Sequence, residues 1–468
     1  MLIQNYEEII HFSSSIRQKP REIILELFNA AVDAVNPYQI ILDNITYNSD
    51  RKELIIKNQV FSIEKRKIWI IGAGKAVGQM AEALERILIE LEYKGVICVP
   101  EGVKNHLRLD VLTCLESTHP LPSEVNVKNT KEVLELIEKI NPDDLVIALI
   151  SGGGSAIWAA PISPITIEDL ILLNKGLINS GMTIHEMNIV RKHVSAIKGG
   201  KLSKIIPAKT IVVLILSDVI GDNLETIASG CFYPDSSTFL DVRLILDQYD
   251  LLNVIPDSIK LVIEQGNDGV IPETPKKTDP IFQHIYTHII GSNKLACNAV
   301  ISAAKQLGLN TLFLTDKLEG NAKCLGRLLA RIYCGLADKT REPLLVISGG
   351  EPTVKVRGGG IGGRNQEVAA AVLHEFSSLT SPPDIVFLSA GTDGIDGNSP
   401  YAGALVDDVS VTVTQQKELD LAKFQEENNL SKFFEEVGGS LLISGPTGTN
   451  VMDVQIALIN ATIFQKRE

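Results

Sequence analysis

Runs of apolar residues followed at once by glycines recur along this chain, with amphipathic stretches between them. KIWIIGAG (67–74) and DLVIALISGGGS (144–155) are two such runs, and KGVICVP (94–100) and TIVVLILSD (210–218) are apolar runs that end without them. They are too short for helices and too uniformly apolar for half-exposed strands, so they predict strands buried on both faces. Between them lie helical patterns at 76–92, 130–140, 166–180 and 185–204, after a mainly helical stretch over 1–50 that includes EIILELFNAAVDAV (22–35). Strand, loop and helix in that alternation predict a doubly wound, Rossmann-like parallel sheet.

A stretch from 255 to 284, containing GNDGVIPETPKKTDP, is read as irregular and as the domain boundary. A second alternating series then runs through THIIGSN (287–293), NTLFLTD (310–316), PLLVISGGE (343–351), DIVFLSAGTDG (384–394) and SLLISGPTGTN (440–450). The expectation is α/β throughout, in two domains: a Rossmann-like domain over 1–280 and a second α/β domain over 281–468.

Composition narrows the function. The 468 residues exceed what one hydrophobic core holds, and 45% hydrophobic with 22% charged residues is globular usage. No apolar run approaches the ~20 residues of a membrane span. The first twelve residues carry Glu7 and Glu8 rather than the basic-then-apolar order of a secretion signal, so a cytoplasmic location without membrane attachment is expected. Six cysteines are dispersed with no CxxC pair, which predicts free thiols and no zinc site. A formal charge of −13 argues against nucleic acid as a partner; an anionic small molecule would need a local cationic pocket.

Five glycine-rich loops supply such pockets, and in an open α/β sheet they gather at the carboxyl edge of the strands. IGAGKAVG spaces Gly72-x-Gly74-x-x-x-Gly78, one residue longer than the common dinucleotide fingerprint, and sets Lys75 where a phosphate would meet the helix start. Positive charge is unfavourable at a helix N-terminus unless an anion joins it. In LISGGGSA, Ser151, Gly152, Gly153, Gly154 and Ser155 offer successive N–H groups to an oxyanion.

MNIVRKHVSAIKGGKL, read as a helix, places Arg191, Ser195 and Lys198 on one face with Lys201 extending the line; His193 falls on another face and is expected to be structural. Asp218 ends a strand and Asp222 follows the next glycine, a pair suited to holding Mg²⁺ or taking a hydroxyl proton. The fifth loop, ISGGEPTVKVRGGGIGGRNQE (347–367), holds Arg357, Gly362, Gly363, Arg364 and Asn365. So many glycines cost entropy that folding alone does not require, which points to ligand binding. Asp393, Asp396 and Thr449 add to the same edge.

Taken together, GAGKA (72–76), HPLPSE (119–124), SGGGSA, MNIVRKHVSAIKGGKL, SDVIGD (217–222), IASG (227–230), SGGEPTV, GGRNQE (362–367), AGTDGIDG (390–397) and GPTGTN (445–450) resemble one family over nearly the whole chain. That family is the glycerate kinases with an N-terminal glycerate-kinase domain and a C-terminal MOFRL domain. The resemblance implies transfer of the ATP γ-phosphoryl group to glycerate, usually to its 2-hydroxyl, with Mg²⁺. It implies Lys75 as the neutralising lysine and Arg364 as the arginine gripping substrate or phosphoryl group. Asp218 matches the family's strand-end aspartate; general base or metal ligand is its expected role. The sequence departs from the pattern at Thr118 before His119-Pro120, at Ile220, and at Cys231-Phe232. Two other readings stay open: an NAD(P)-dependent hydroxypyruvate reductase resting on IGAGKAVG, and a non-catalytic phospho-sugar or nucleotide binder.

Overall fold

The four apolar runs of the first half lie in one sheet. In the computed structural model, which describes residues 2–464, the chain divides into two compact units, one over 37–290 and one over 1–36 with 291–468. The division differs from a cut after residue 280 chiefly at the N-terminus. Arg21, on the helix Ser15–Asp33, is buried and bidentate to the buried Asp407 at 2.8 and 2.9 Å, and it also donates to the carbonyls of Ile9 and Gly439. Arg17 on the same helix pairs with Asp384 and Asp408. A buried guanidinium is tolerable only with its acid, so these pairs bind the N-terminal helix to the C-terminal unit.

In the unit of 37–290 a six-stranded sheet runs in the spatial order Thr113–Ser117, Tyr93–Pro100, Ile68–Ala73, Leu145–Ser151, Thr210–Leu216, Ile285–Gly291. Neighbours among the first five strands pair parallel. Numbered along the chain, the order is 3-2-1-4-5-6. It reverses between Ile68–Ala73 and Leu145–Ser151, and an open parallel sheet binds ligands in the crevice at that reversal. Those two strands are buried at every residue, as their unbroken apolar runs require. THIIGSN, expected to begin the second series, is instead the edge of this first sheet.

Helices in the unit start where Ser or Thr precedes an acidic or amide residue by three: Ser123/Asn126, Thr166/Asp169, Thr183/Glu186 and Thr238/Asp241 each form a reciprocal cap. Two expectations are corrected. Residues 255–284 include the helix Asp257–Asn267, whose Ile259, Val262 and Ile263 join Leu173, Val190 and Phe239 in a helical core. The helix expected over 185–204 is Ile184–His193; the chain then runs extended, with Ile162 N–H on the Val194 carbonyl and Ala196 N–H on that of Ala160, before Gly199 and Gly200 turn it at positive φ into Lys201–Ile205.

The other unit holds a mixed six-stranded sheet ordered Asn310–Asn321, Leu344–Thr353, Asp453–Ile459, Ile385–Gly391, Gly403–Val406, Leu441–Leu442. Its first pair is parallel and the others are antiparallel. SLLISGPTGTN (440–450) was expected to contribute a strand running into a glycine loop. The structure has only Leu441–Leu442 there, because the chain turns at Gly445 and Gly448 with positive φ; the sheet's central strand is Asp453–Ile459 instead. Among the described residues no helix is long and apolar enough to cross a membrane.

Candidate phosphoryl-transfer site

At the reversal of strand order, two glycine loops interlock. Gly74 has φ 147°, and a Cβ there would lie 2.1 Å from Ser151 Oγ, so only glycine lets the loops meet. Ser151 Oγ accepts the Ala76 N–H at 3.0 Å, capping the helix Val77–Ile87 from the neighbouring strand, and Lys75 N–H donates to the Gly152 carbonyl at 2.9 Å. Gly72 packs on Val77, where a Cβ would come within 2.7 Å of Cγ1. The Lys75 side chain is left exposed at the helix start.

Asp218 approaches the second loop so closely that a Cβ on Gly152 would fall 1.9 Å from its Oδ2. Part of Asp218 stays exposed, yet its carboxyl is deep enough that burial pushes its pKa up, while the Lys75 ammonium pulls it down. A carboxylate of raised pKa next to a cation is a better proton acceptor than a surface aspartate. The N–H groups of Gly153 and Gly154 find no acceptor in the protein among the described residues. His119 borders Gly153, its ring 3.0 Å from where a Cβ would stand; burial first, and Lys75 second, lower its pKa and keep it neutral. Sequence reasoning did not place His119 in the site, although HPLPSE was its signal.

Beside Gly153 and Ser155 opens a cavity of about 330 Å³ that is also bordered by His119, Arg191, Ser195 and Lys198. Arg191, Ser195 and Lys198 were expected to share a helix face. They converge although the helix ends at His193, because the extended turn brings Ser195 and Lys198 back to the same opening. Lys198 is 8% exposed and donates to the Ser155 carbonyl (2.7 Å) and hydroxyl (3.0 Å); that hydroxyl lies 2.8 Å from Ser229 Oγ, which donates to Asn188. Ala228, Ser229 and Gly230 are consecutive residues in left-handed conformation, a strained turn that delivers Ser229 to this chain of bonds. Lys201 lies off this line, donating to the carbonyls of Lys192 and Ser195. His193 is structural: buried, with Nδ1 on the Ile189 carbonyl and Nε2 on Glu273.

For a divalent cation the unit offers Asp218 and, four residues on, Asp222 with φ 55°. Among the described residues no group of three or more His, Cys, Asp or Glu side chains forms a ready cage. One or two carboxylates beside loops with open backbone N–H groups is nonetheless a donor set that suits Mg²⁺, which takes most of its ligands from water and phosphate oxygens.

The 358–364 loop of the other unit has a different character. None of Gly358, Gly359, Gly360, Gly362 and Gly363 adopts positive φ; the need is for close approach. A Cβ on Gly358 would meet the Glu427 carbonyl at 2.2 Å, and one on Gly363 would meet Asp396 at 2.4 Å. Asp396 is buried, and its carboxylate accepts the N–H groups of Asn365 and Gln366 at 2.9 Å each, so it occupies the start of the helix Arg364–Ser377. Burial raises its pKa to about 7 against those two bonds.

Arg364 donates to both oxygens of the fully buried Asp453 (2.6 and 3.1 Å) and to Glu351 (2.8 Å), leaving two of its five N–H bonds for any other anion. Asn365 Oδ1 accepts from Ser389. Arg357 is exposed, Asp393 accepts the Ile395 N–H, and Thr449 is buried with its hydroxyl on the Val35 carbonyl.

The sequence matches two families, Domain of unknown function (DUF4147) over residues 23–264 and the MOFRL family over 344–453. A relative from Pyrococcus horikoshii named glycerate 2-kinase is 39% identical, covering 94% of this chain and 98% of its own. The crystal structure of a glycerate kinase from Thermotoga maritima superposes with a TM-score of 0.80 at 34% identity, over 94% of this chain and 99% of that one. A relative from Agrobacterium vitis, 34% identical over 94% of each chain, carries a provisional name as a hydroxypyruvate reductase. With full-length relatives named glycerate 2-kinase and glycerate kinase and both domains present in order, the chain belongs to the glycerate kinase family that joins a DUF4147 domain to a MOFRL domain.

Proposed function

We propose that this kinase transfers the γ-phosphoryl group of ATP to the 2-hydroxyl of glycerate, giving 2-phosphoglycerate and ADP. The observation that carries the reading is the pair Lys75 and Asp218, set on interlocked glycine loops at the reversal of a parallel sheet. Phosphoryl transfer asks little covalent chemistry of a protein; position and charge neutralisation supply the rate. Lys75 stands free to neutralise phosphate oxygens, and the N–H groups of Gly153 and Gly154 are oriented donors that need no reorganisation. Asp218 accepts the proton as the acceptor oxygen bonds to phosphorus and the bond to the β-phosphate bridging oxygen breaks. Asp218, with Asp222, would also hold Mg²⁺, which supplies further charge neutralisation across the phosphates.

The 3-2-1-4-5-6 order is shared with dinucleotide enzymes, which favours hydroxypyruvate reduction as the second reading. One experiment separates the two. ADP release is followed with ATP and glycerate, the product is read by phosphorus NMR, and NADH absorbance is followed with hydroxypyruvate. A phosphomonoester on C2 and no NADH oxidation is expected. NADH consumption without ADP formation would overturn the kinase reading, and a phosphomonoester on C3 would overturn the regiochemistry.

A further inference from the structure

Buried cations ordinarily have acids, because desolvating an unpaired charge costs several kcal/mol. Lys192 pairs with Asp235 and Glu225, Arg21 with Asp407, and Arg364 with Asp453 and Glu351. Lys201, half-buried, meets two backbone carbonyls instead of an acid. The half-buried Arg191 and the buried Lys198 are left without an acid as well. Neither Arg191 nor Lys198 has a carboxylate within 4 Å among the described residues, and both border the cavity beside Gly153 and Ser155. Arg191 Nε donates to Asn174 Oδ1 at 2.8 Å, while its two terminal nitrogens find no acceptor among the described residues. Lys198 places two of its three donors on Ser155 and keeps one. Burial lowers both pKa values, that of Lys198 to about 8, and Arg191 adds a repulsion that only Cys231 opposes. Two desolvated cations repelling one another across a cavity form a site whose missing component is an anion.

We infer that Arg191 and Lys198 hold the carboxylate of the acceptor acid. This rests on the kinase reading for the identity of the acid, a small 2-hydroxycarboxylate. Ser155 belongs to the loop whose Gly152 abuts Asp218, so a carboxylate seated on Lys198 lies one loop away from the proton acceptor. Arg364, the arginine that the sequence resemblance assigns to this task, has most of its donors committed to Asp453 and Glu351. Arg191 and Lys198 are therefore binding and specificity residues, whereas Lys75 and Asp218 serve the reacting groups.

The test compares glycerate with glyceramide, its uncharged amide, on the wild-type protein and on Lys198→Met and Arg191→Gln. Binding is measured by titration calorimetry, with and without a non-hydrolysable ATP analogue, and KM is measured separately for each substrate. Wild-type protein is expected to prefer glycerate strongly. Each variant is expected to bind it about thirtyfold more weakly or worse, the loss that follows from truncating one partner of a buried charge pair, with KM for ATP within about twofold of wild type. Wild-type affinity for glycerate in both variants would overturn the inference. Equal binding of glyceramide and glycerate would overturn it as well, and that comparison needs no variant to fold. Should no ATP-dependent phosphorylation occur at all, Lys198-dependent discrimination between acid and amide would still establish the pocket while the kinase reading falls.

Discussion

Replacing Arg364 with alanine is predicted to unsettle the C-terminal unit before it touches any substrate. The change removes two bonds to Asp453, at 2.6 and 3.1 Å, and one to Glu351 at 2.8 Å. Asp453 begins the central strand of the mixed sheet and its side chain has no exposed surface, so its charge is left uncompensated in the interior. Breaking a buried pair in this way costs about 3–5 kcal/mol. The 29% exposure of the Arg364 side chain favours the lower end, about 3 kcal/mol. At about 2–4 °C per kcal/mol for a domain of this size, the unit should melt about 6–12 °C lower. Differential scanning calorimetry of the wild type, Arg364→Ala, Asp453→Asn and the double variant measures it. The double variant should recover about 2 kcal/mol or more relative to the sum of the singles, since each alone orphans the other. An Arg364→Ala protein that melts with the wild type while its turnover collapses would refute this reasoning and return the residue to the role of a substrate grip.

Lys75→Ala should behave oppositely: its side chain is exposed and makes no ion pair among the described residues, so melting should stay within about ±0.5 kcal/mol of wild type while phosphorylation falls at least about a hundredfold. Unchanged turnover in a coupled ADP assay would remove Lys75 from the mechanism. Gly152→Ala forces a methyl onto Asp218 Oδ2, and it should depress kcat but cost little further in an Asp218→Ala background; full additivity would show that the two do not act together. Because Lys198 is depressed from 10.5 to about 8, it is a cation below that pH and neutral above it. The free-enzyme profile, kcat/KM for glycerate, should therefore fall as pH rises through about 8, and Lys198→Arg should flatten that limb. Lys201, also near 8, spends its ammonium on two carbonyls and should leave the limb in place when changed to Arg.

Much of the parallel sheet was legible because its strands advertise burial on both faces: IWIIGA, LVIALIS and TIVVLIL contain no charged residue and end in turn formers. The interlocked loops at the reversal of strand order were legible for a related reason, since glycine directly after such a strand marks a tight turn or a close approach of backbone. The helix that stops at His193 was not legible. MNIVRKHVSAI keeps helical apolar spacing past that point, and what ends the helix is pairing of 194–196 with 160–162, a contact between segments some thirty residues apart. Asp453–Ile459 was missed as the central strand for the same kind of reason. Its aspartate and glutamine look solvent-facing until Arg364 and Ser348 are seen to receive them.

Arginine beside glycine is ambiguous in one dimension, and the ambiguity is electrostatic. GGRNQE and IVRKH both present a guanidinium near loops that could hold an anion. Which one does so depends on whether the protein has already supplied a carboxylate, and those carboxylates come from far along the chain: Asp453 lies 89 residues from Arg364. A chain of net charge −13 has acids to spare, so a half-buried or buried cation left without one is not short of candidates. Evolution of a stable fold would place an acid opposite Arg191 or Lys198, or replace them with apolar residues, since an unpaired buried charge only destabilises. Their presence as a pair beside one cavity is explained when the acid arrives from solution. The same logic separates the two glycine loops: at 358–364 the helix start is already closed by Asp396, whereas Gly153 and Gly154 keep their N–H groups open. Unsatisfied donors, more than glycines, mark where the anions of this reaction belong.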